Sequence, residues 1–258
     1  MQFGLMIIGD EILNGSRTDA HFNAVREMLK ARGLRLAWVE YIADEPVEIV
    51  ARLQRSMAGD VPVFVTGGIG ATPDDHTRQA AATALNRPIE LHPDAAQFIV
   101  ELSRTRGDAL DSAVHLQRLN MAMFPKNADI VPNPINTVAG FSVDEHYFFP
   151  GFPVMAHPMM EWVLETYYQN AFFKERIEQR HAIIEGLQES QIAPLMIAIE
   201  HEFEGVKTYS LPNATKGRNV ELGVKAQGDA CDLLDAAWGQ LFVNVIALGG
   251  VEAKDNSN

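Results

Sequence analysis

The stretch PVFVTGGIGATPDDHT, residues 62–77, joins a short apolar run to an Ala-rich segment, 76–85, that reads as a helix. A continuous apolar run with β-branched residues reads as a buried parallel strand. The loop between them therefore sits at the carboxyl end of a strand, where open α/β sheets bind ligands. Gly67, Gly68 and Gly70 let backbone N–H groups approach an anion, and the following helix start favours negative charge. Asp74 and Asp75 do the opposite and repel a bare phosphate. Carboxylates beside a glycine cradle make sense with a divalent cation between them and the phosphate. One of the two is expected to cap the helix and the other to face the site. No Gly-Lys-Ser/Thr follows, so this is not a P-loop, and Pro73 stands where a dinucleotide fingerprint has its third glycine.

Working outward, FGLMII (3–8) is a strand that stops at Gly9, Asp19 opens a helix closed by Gly33, and 34–42 and 46–57 read as strand and helix. This alternation implies a parallel sheet covered on both faces. GDEILNG (9–15) places two more carboxylates, Asp10 and Glu11, at a strand's carboxyl end. With the first and third strands as neighbours, Glu11 and Asp75 would converge on one metal. Asp10 and Asp19 read equally well as turn and N-cap residues. Helices are expected over 91–106 and 112–123, then short strands at 130–131, 141–143 and 147–149, the last two joined by an Asp144-Glu145 hairpin turn. PNPINT (132–137) and FPGFP (149–153) are rigid loops that suggest pocket walls. The elbow PGFPVMAHP leads into an aromatic helix, 159–168. The charged run KERIEQR (174–180) reads as a linker or domain edge or, equally well, as a solvated helix end. Beyond it a small β-α-β-β-α unit is expected, from strand 182–185, helix 189–203, strands 206–210 and 220–224, and helix 229–245. The polar tail 252–258 is expected to fray.

The chain has 258 residues and a formal net charge of −13, which argues against nucleic acid and anionic membrane surfaces as partners. One cysteine, Cys231, excludes a disulfide framework and a Cys-based zinc finger. The opening MQFGLMIIGDE lacks a basic n-region, and no stretch nears the roughly 20 apolar residues of a membrane span. A globular cytoplasmic protein is expected. The 8 histidines show no metal-ligand spacing, although His21 and His76 flank the acidic loops.

Together, GDEILNG, Asp19, TGGIGATPDDHT, PNPINT and FPGFP, in this order and spacing, resemble the molybdopterin-binding-fold family. Within it they are similar to the N-terminal domain of competence/damage-inducible CinA proteins and to the related domain of eukaryotic FAD synthases. The resemblance implies a first domain over 1–172 with a three-layer α/β/α sandwich on a mostly parallel sheet. ESQIAPLMIAIEHEFEGVKTYSLP onward is similar to the small KH-type domain that follows in CinA, implying a second domain over 178–250. The NMN-deamidase domain of full-length CinA has no counterpart in this stretch, so no deamidase activity is implied. The implied activity is metal-dependent hydrolysis of a pyrophosphate bond in an ADP-ribose-like nucleotide, an ADP-ribose pyrophosphatase. The alternative is a non-catalytic molybdopterin- or nucleotide-binding protein. Glu11 and Asp75 match acidic positions implicated in metal binding or catalysis, with Mg, Mn or Co as the ion. Asp74 or Asp10 is the candidate general base. Thr66, Gly67, Gly68, Gly70 and Thr72 would cradle phosphate, with Asn133, Thr137, Gly151 and Pro153 contributing from the two proline loops.

The departures are specific. Ala71 replaces the proline of the family's GPT, His21 the asparagine of its DxN, Asn136 the glycine of PNPxGT, and Val154-Met155 a Ser-Glu pair. The lost carboxylate favours binding without turnover, and His21 and His76 would favour softer ions. The KH-like unit lacks a GxxG loop, Lys216-Gly217-Arg218-Asn219 being the nearest candidate, which argues against RNA. Its helices are the expected interface of a homo-oligomer, first of all a dimer.

Overall fold

The apolar runs become neighbouring strands of one sheet. The computed structural model describes residues 1–213 and 219–253, so Lys216, Gly217 and Arg218 of the GxxG candidate and positions 254–258 of the tail lie outside the described residues. Two compact units divide at Phe173/Lys174.

In the first unit the strands are β1 (Gln2–Ile8), β2 (Arg35–Ile42), β3 (Val63–Thr66), β4 (Ile89–Leu91), β5 (Met123–Pro125), β6 (Asp129–Val131), β7 (Gly140–Val143) and β8 (His146–Phe149). The helices are α1 (Asp10–Leu13), α2 (His21–Lys30), α3 (Pro46–Met57), α4 (Thr77–Ala84), α5 (Pro93–Arg106), α6 (Ala113–Leu119) and α7 (Pro153–Val163). The main sheet runs β2-β1-β3-β8-β7-β6. Its first four strands are parallel, and β7 and β6 extend it antiparallel.

Strand periodicity sorts the core into two faces. From β1, Phe3, Leu5 and Ile7 pack with Val25 and Leu29 of α2 and with Met159 and Met160 of α7. Met6 and Ile8 point the other way, onto Ile49 and Leu53 of α3, Ala80 of α4 and Ile99 of α5. Strand β3 divides likewise, Phe64 to the first face and Val63 and Val65 to the second. This is the expected α/β/α sandwich. Truncating a side chain such as Leu53, fully buried here, costs about 2–5 kcal/mol.

The hairpin turn is also as expected. Asp144 and Glu145 both have positive φ, 47° and 57°, the backbone of a two-residue primed turn. Asp19 accepts the N–H groups of His21 at 2.7 Å and Phe22 at 3.1 Å, so it caps α2 from one residue before the N-cap position.

Several expectations are corrected. Leu91 belongs to β4 rather than a helix, because Pro93 pre-sets the first turn of α5 and His92 caps it. Helix 112–123 ends at Leu119; its last residues form a 3-10 turn and β5, which pairs with β4. The elbow after Gly151 is helical from Pro153, a residue tolerated at a helix start. GDEILNG is not all turn: Asp10–Leu13 makes one helical turn, α1.

In the second unit the charged run is no linker beyond Arg176, because β9 spans Ile177–Glu185 with alternating burial from Ala182 onward. It is followed by α8 (Glu189–Glu202), β10 (Lys207–Asn213), β11 (Asn219–Gln227), α9 (Leu234–Ala247) and β12 (Val251–Glu252). The β-α-β-β-α order holds, with the two-residue β12 added to an antiparallel sheet ordered β10-β11-β9-β12. The expected last helix opens as a 3-10 segment, Gly228–Leu233. No helix among the described residues is long and apolar enough to cross a membrane.

Two measurements check these local assignments. Positive φ costs a residue with a Cβ roughly 1–2 kcal/mol, so Glu145→Gly is expected to raise the melting temperature; a fall would mean the turn geometry is wrong. His146 is 2% exposed, with Nδ1 donating to Asp144 O at 2.9 Å and Nε2 bonded to Ser56 Oγ at 2.8 Å. Burial lowers its pKa from the ordinary 6.5, against the raising influence of Asp144. The unfolded chain therefore binds a proton first, and this contribution to stability is present above pH 6.5 and lost as pH falls below it. Denaturant melts from pH 7 downward should show a shallower decline in His146→Gln than in the parent, and parallel curves would contradict the buried neutral imidazole.

Candidate functional site

Parallel pairing of β1, β3 and β8 brings their carboxyl ends side by side. The backbone ties them there: Gly9 N–H donates to Ile42 O and Gly67 N–H to Phe149 O, each at 3.0 Å. A cavity of about 590 Å³ opens at this edge. Its walls include the glycine loop, Glu11, Asp44, the Pro150–Pro153 loop, Asn133 and Asn136, and an apolar side from Leu102, Met121, Val138 and Met155.

The loop's shape depends on its glycines and on one carboxylate. Gly67 and Gly68 have φ of 97° and 66°, and a Cβ on either would collide, with Ile8 O and Thr77 Oγ1 respectively. Asp75 Oδ1 accepts the Gly70 N–H at 2.7 Å, and its Oδ2 accepts the Thr72 N–H at 2.8 Å and the Thr72 hydroxyl at 2.6 Å. Gln117 of α6 donates to Ala71 O. Asp75 thus braces the loop with both oxygens, and neither aspartate side chain caps α4, whose N-cap is His76. That corrects the expected division of labour; Asp74 is exposed on the rim. Of the three glycines only Gly68 keeps a free N–H. Together with Ile69 and Ala71 it gives three cavity-lining residues whose N–H groups meet no protein acceptor among the described residues.

The acidic rim has four members. Asp10 and Asp44 bond reciprocally, Asp10 N–H to Asp44 Oδ2 at 2.9 Å and Asp44 N–H to Asp10 Oδ1 at 3.2 Å. Burial, then the charges of Asp10, Glu11 and Asp74, push the Asp44 carboxyl up against the lowering effect of the Asp10 N–H. Asp10 itself does not line the cavity; it is the first residue of α1, and its carboxylate accepts the Asp44 N–H. Glu11 lines the cavity and meets Arg17 at 4.0 Å.

Among the described residues no group of three His, Cys, Asp or Glu side chains could hold a metal ion. With both Asp75 oxygens committed to the loop, the expected Glu11–Asp75 pair is not a ready metal site.

The remaining expected residues divide. Thr66 is buried, its hydroxyl directed to Met6 O at 3.4 Å, and it reaches the cavity as part of the strand end. Thr72 lines the cavity but donates its hydroxyl to Asp75. Gly151 and Pro153 line it too, and Gly151 O accepts from His21 Nε2 at 3.1 Å. Asn133 lines the cavity while its amide is spent on Asn136 Oδ1, Val138 O and the Ile135 N–H. Thr137 is absent from the lining, a correction: it holds a φ of 62° in the tight PNPINT turn and so serves the turn's backbone. His21 is 4% exposed and lines the cavity, and burial lowers its pKa, whereas His76 does not line it. Asp44, Arg17, Arg106 and Arg118 are cavity residues that sequence reasoning did not single out. Asp44 had a usable signal, lying just past a strand end as Glu11 does. The arginines of α5 and α6 had none.

Residues 4–170 match the family model described as "Probable molybdopterin binding domain". A CinA-like protein of Citrifermentans bemidjiense is 28% identical over 246 residues, covering 93% of this chain and 57% of its own length. A CinA-like protein of Chlorobium phaeobacteroides is also 28% identical, over 90% of this chain and 55% of its own. The chain thus spans a little over half the length of these relatives. The crystal structure of the protein CinA with unknown function from Thermoplasma acidophilum superposes with a TM-score of 0.56 at 23% identity, over 64% of this chain and 96% of that one. By the match over residues 4–170, the chain belongs to the molybdopterin-binding domain family.

Proposed function

We propose that the cavity binds a nucleotide or pterin carrying a pyrophosphate, with the phosphates on the glycine loop, and hydrolyses that pyrophosphate bond when a divalent cation enters with the ligand. The observation that carries this reading is the set of three unpaired cavity N–H groups, at Gly68, Ile69 and Ala71. Backbone donors fixed before the ligand arrives suit an anion, since they need no reorganisation to meet it. Leu102, Met121 and Val138 offer an apolar wall for a flat ring. A cation bound to the phosphates would polarise phosphorus and lower the pKa of a bound water. The chain's own part is to hold the phosphates by the loop and to present Glu11 and Asp74 at the rim, where one carboxylate can orient a water and take its proton. ADP-ribose-like nucleotides are the proposed substrate class.

A second reading, binding without turnover, is favoured by one observation. Met155, where the resemblance leads one to expect a carboxylate, presents to the cavity wall a thioether that accepts from Asn136 Nδ2 at 3.1 Å. The two readings separate in a product assay. The protein would be incubated with ADP-ribose, FAD or NADH plus Mg²⁺, Mn²⁺, Co²⁺ or EDTA, and products read by mass spectrometry. AMP appearing only with metal is the expected result. No product with any metal, alongside a ligand-dependent rise in melting temperature, would overturn hydrolysis and leave binding.

Asp75→Asn removes one loop hydrogen bond, worth about 1–3 kcal/mol when a donor is left unmet. It is expected to lower the melting temperature and weaken ligand binding at least tenfold, whereas Asp74→Asn should leave binding of the metal-free ligand near the parent value. Unchanged affinity in folded Asp75→Asn would show that the brace does not shape the site.

A further inference from the structure

Arg78, the second residue of α4, is only 2% exposed, the bulkiest of the fully buried side chains. Its Nη1 donates to Ile69 O, its Nε has no partner, and it forms no ion pair among the described residues. Burial lowers its pKa to about 10, which still leaves it charged at neutral pH, and Asp75 is the charge that acts on it. Burying a charge without a direct ion pair is costly, so its place here calls for a reason.

The hydrogen bonds supply one. The Ile69 carbonyl that Arg78 holds and the Gly70 N–H that Asp75 holds are the two ends of a single peptide unit. Cation and carboxylate therefore grip that peptide from opposite sides, and hydrogen bonds in series strengthen one another. This fixes the plane of the peptide between Ile69 and Gly70, and with it the flanking free N–H groups of Ile69 and Ala71. Beside Arg78, Thr77 Oγ1 is also buried without a partner and lies against Gly68.

We propose that Arg78 is a positioning residue for phosphate: its buried charge orients the glycine loop, offsets the acidic rim and lets the loop hold a pyrophosphate without a metal. This rests on the phosphate reading of the cavity given above. It also answers the difficulty that Asp74 and Asp75 raise for a bare phosphate. The cation acts from behind the loop, through a water-poor region in which charges are felt strongly, while the carboxylates of Glu11 and Asp74 are solvated at the rim. A bound anion adds a second negative charge to the one that Asp75 supplies.

The probe is inorganic pyrophosphate in EDTA, titrated calorimetrically into the wild type, Arg78→Lys and Arg78→Met. Wild-type binding without metal is expected, with a loss of at least tenfold in Arg78→Met. A buried ammonium loses its proton far more readily than a guanidinium. Arg78→Lys should therefore weaken relative to the wild type as pH rises through the lysine's depressed pKa, a readout that a merely structural role would not move. Parallel pH profiles in wild type and Arg78→Lys would overturn the proposal. Should the variants fail to fold, the Nε–H resonance of Arg78 in the wild type decides: it is expected to shift on adding pyrophosphate, and an unmoved signal during binding overturns the role. Binding that requires Mg²⁺ would overturn the metal-free claim and leave the phosphate reading standing. No binding with or without Mg²⁺ would overturn both.

Discussion

The carboxylate of Asp75 is the constraint around which the site is arranged. Three hydrogen bonds from Gly70 and Thr72 converge on its two oxygens, and they turn a glycine-rich segment into a fixed surface. Without the brace Gly70 would have ordinary glycine freedom, and the segment between Ile69 and Thr72 would lose its only side-chain anchor on the N–H side among the described residues. A charged acceptor makes each of these bonds stronger than a neutral one. A carboxylate that looks hostile to phosphate in the sequence therefore braces the loop proposed here to receive it.

The scaffold makes this local arrangement possible. Parallel pairing sets the ends of β1, β3 and β8 in one line, so residues far apart in sequence meet at one edge. The two faces of the sheet are sealed by separate sets of helices, which leaves the carboxyl edge as the place where loops are free to vary. The antiparallel β7 and β6 extend the sheet beyond β8 and bring the PNPINT turn, with Asn133 and Asn136, against the same cavity.

Much of the fold was legible because its signals are local. Apolar runs in β1 and β3, Asp19 before α2 and the Asp144-Glu145 turn each carry their own cue. The errors fall where a weak local cue competed with tertiary structure. Strands β4 and β5 are three residues each and exist through pairing with one another, which no periodicity reveals. Pro153 reads as part of a rigid elbow and is a helix start. The location of the candidate cavity was legible from glycines and acids placed after strands. The duties of individual residues were not, because adjacent Asp74 and Asp75 differ only in which one reaches the loop's N–H groups. Arg78 was invisible for the same reason: its importance comes from burial and from a carbonyl nine positions back, neither of which composition or spacing encodes.

The central claim is that the braced loop is an anion cradle whose donors stand ready before any ligand binds. The most direct measurement is site-resolved amide hydrogen exchange of the wild type, with and without saturating ADP-ribose in EDTA. The account predicts that exchange slows at Gly68, Ile69 and Ala71 on binding, while Gly70 and Thr72, already bonded to Asp75, are protected in both states. Bound ligand with no change at Gly68, Ile69 and Ala71, or rapid exchange at Gly70 and Thr72 in the free protein, would contradict it.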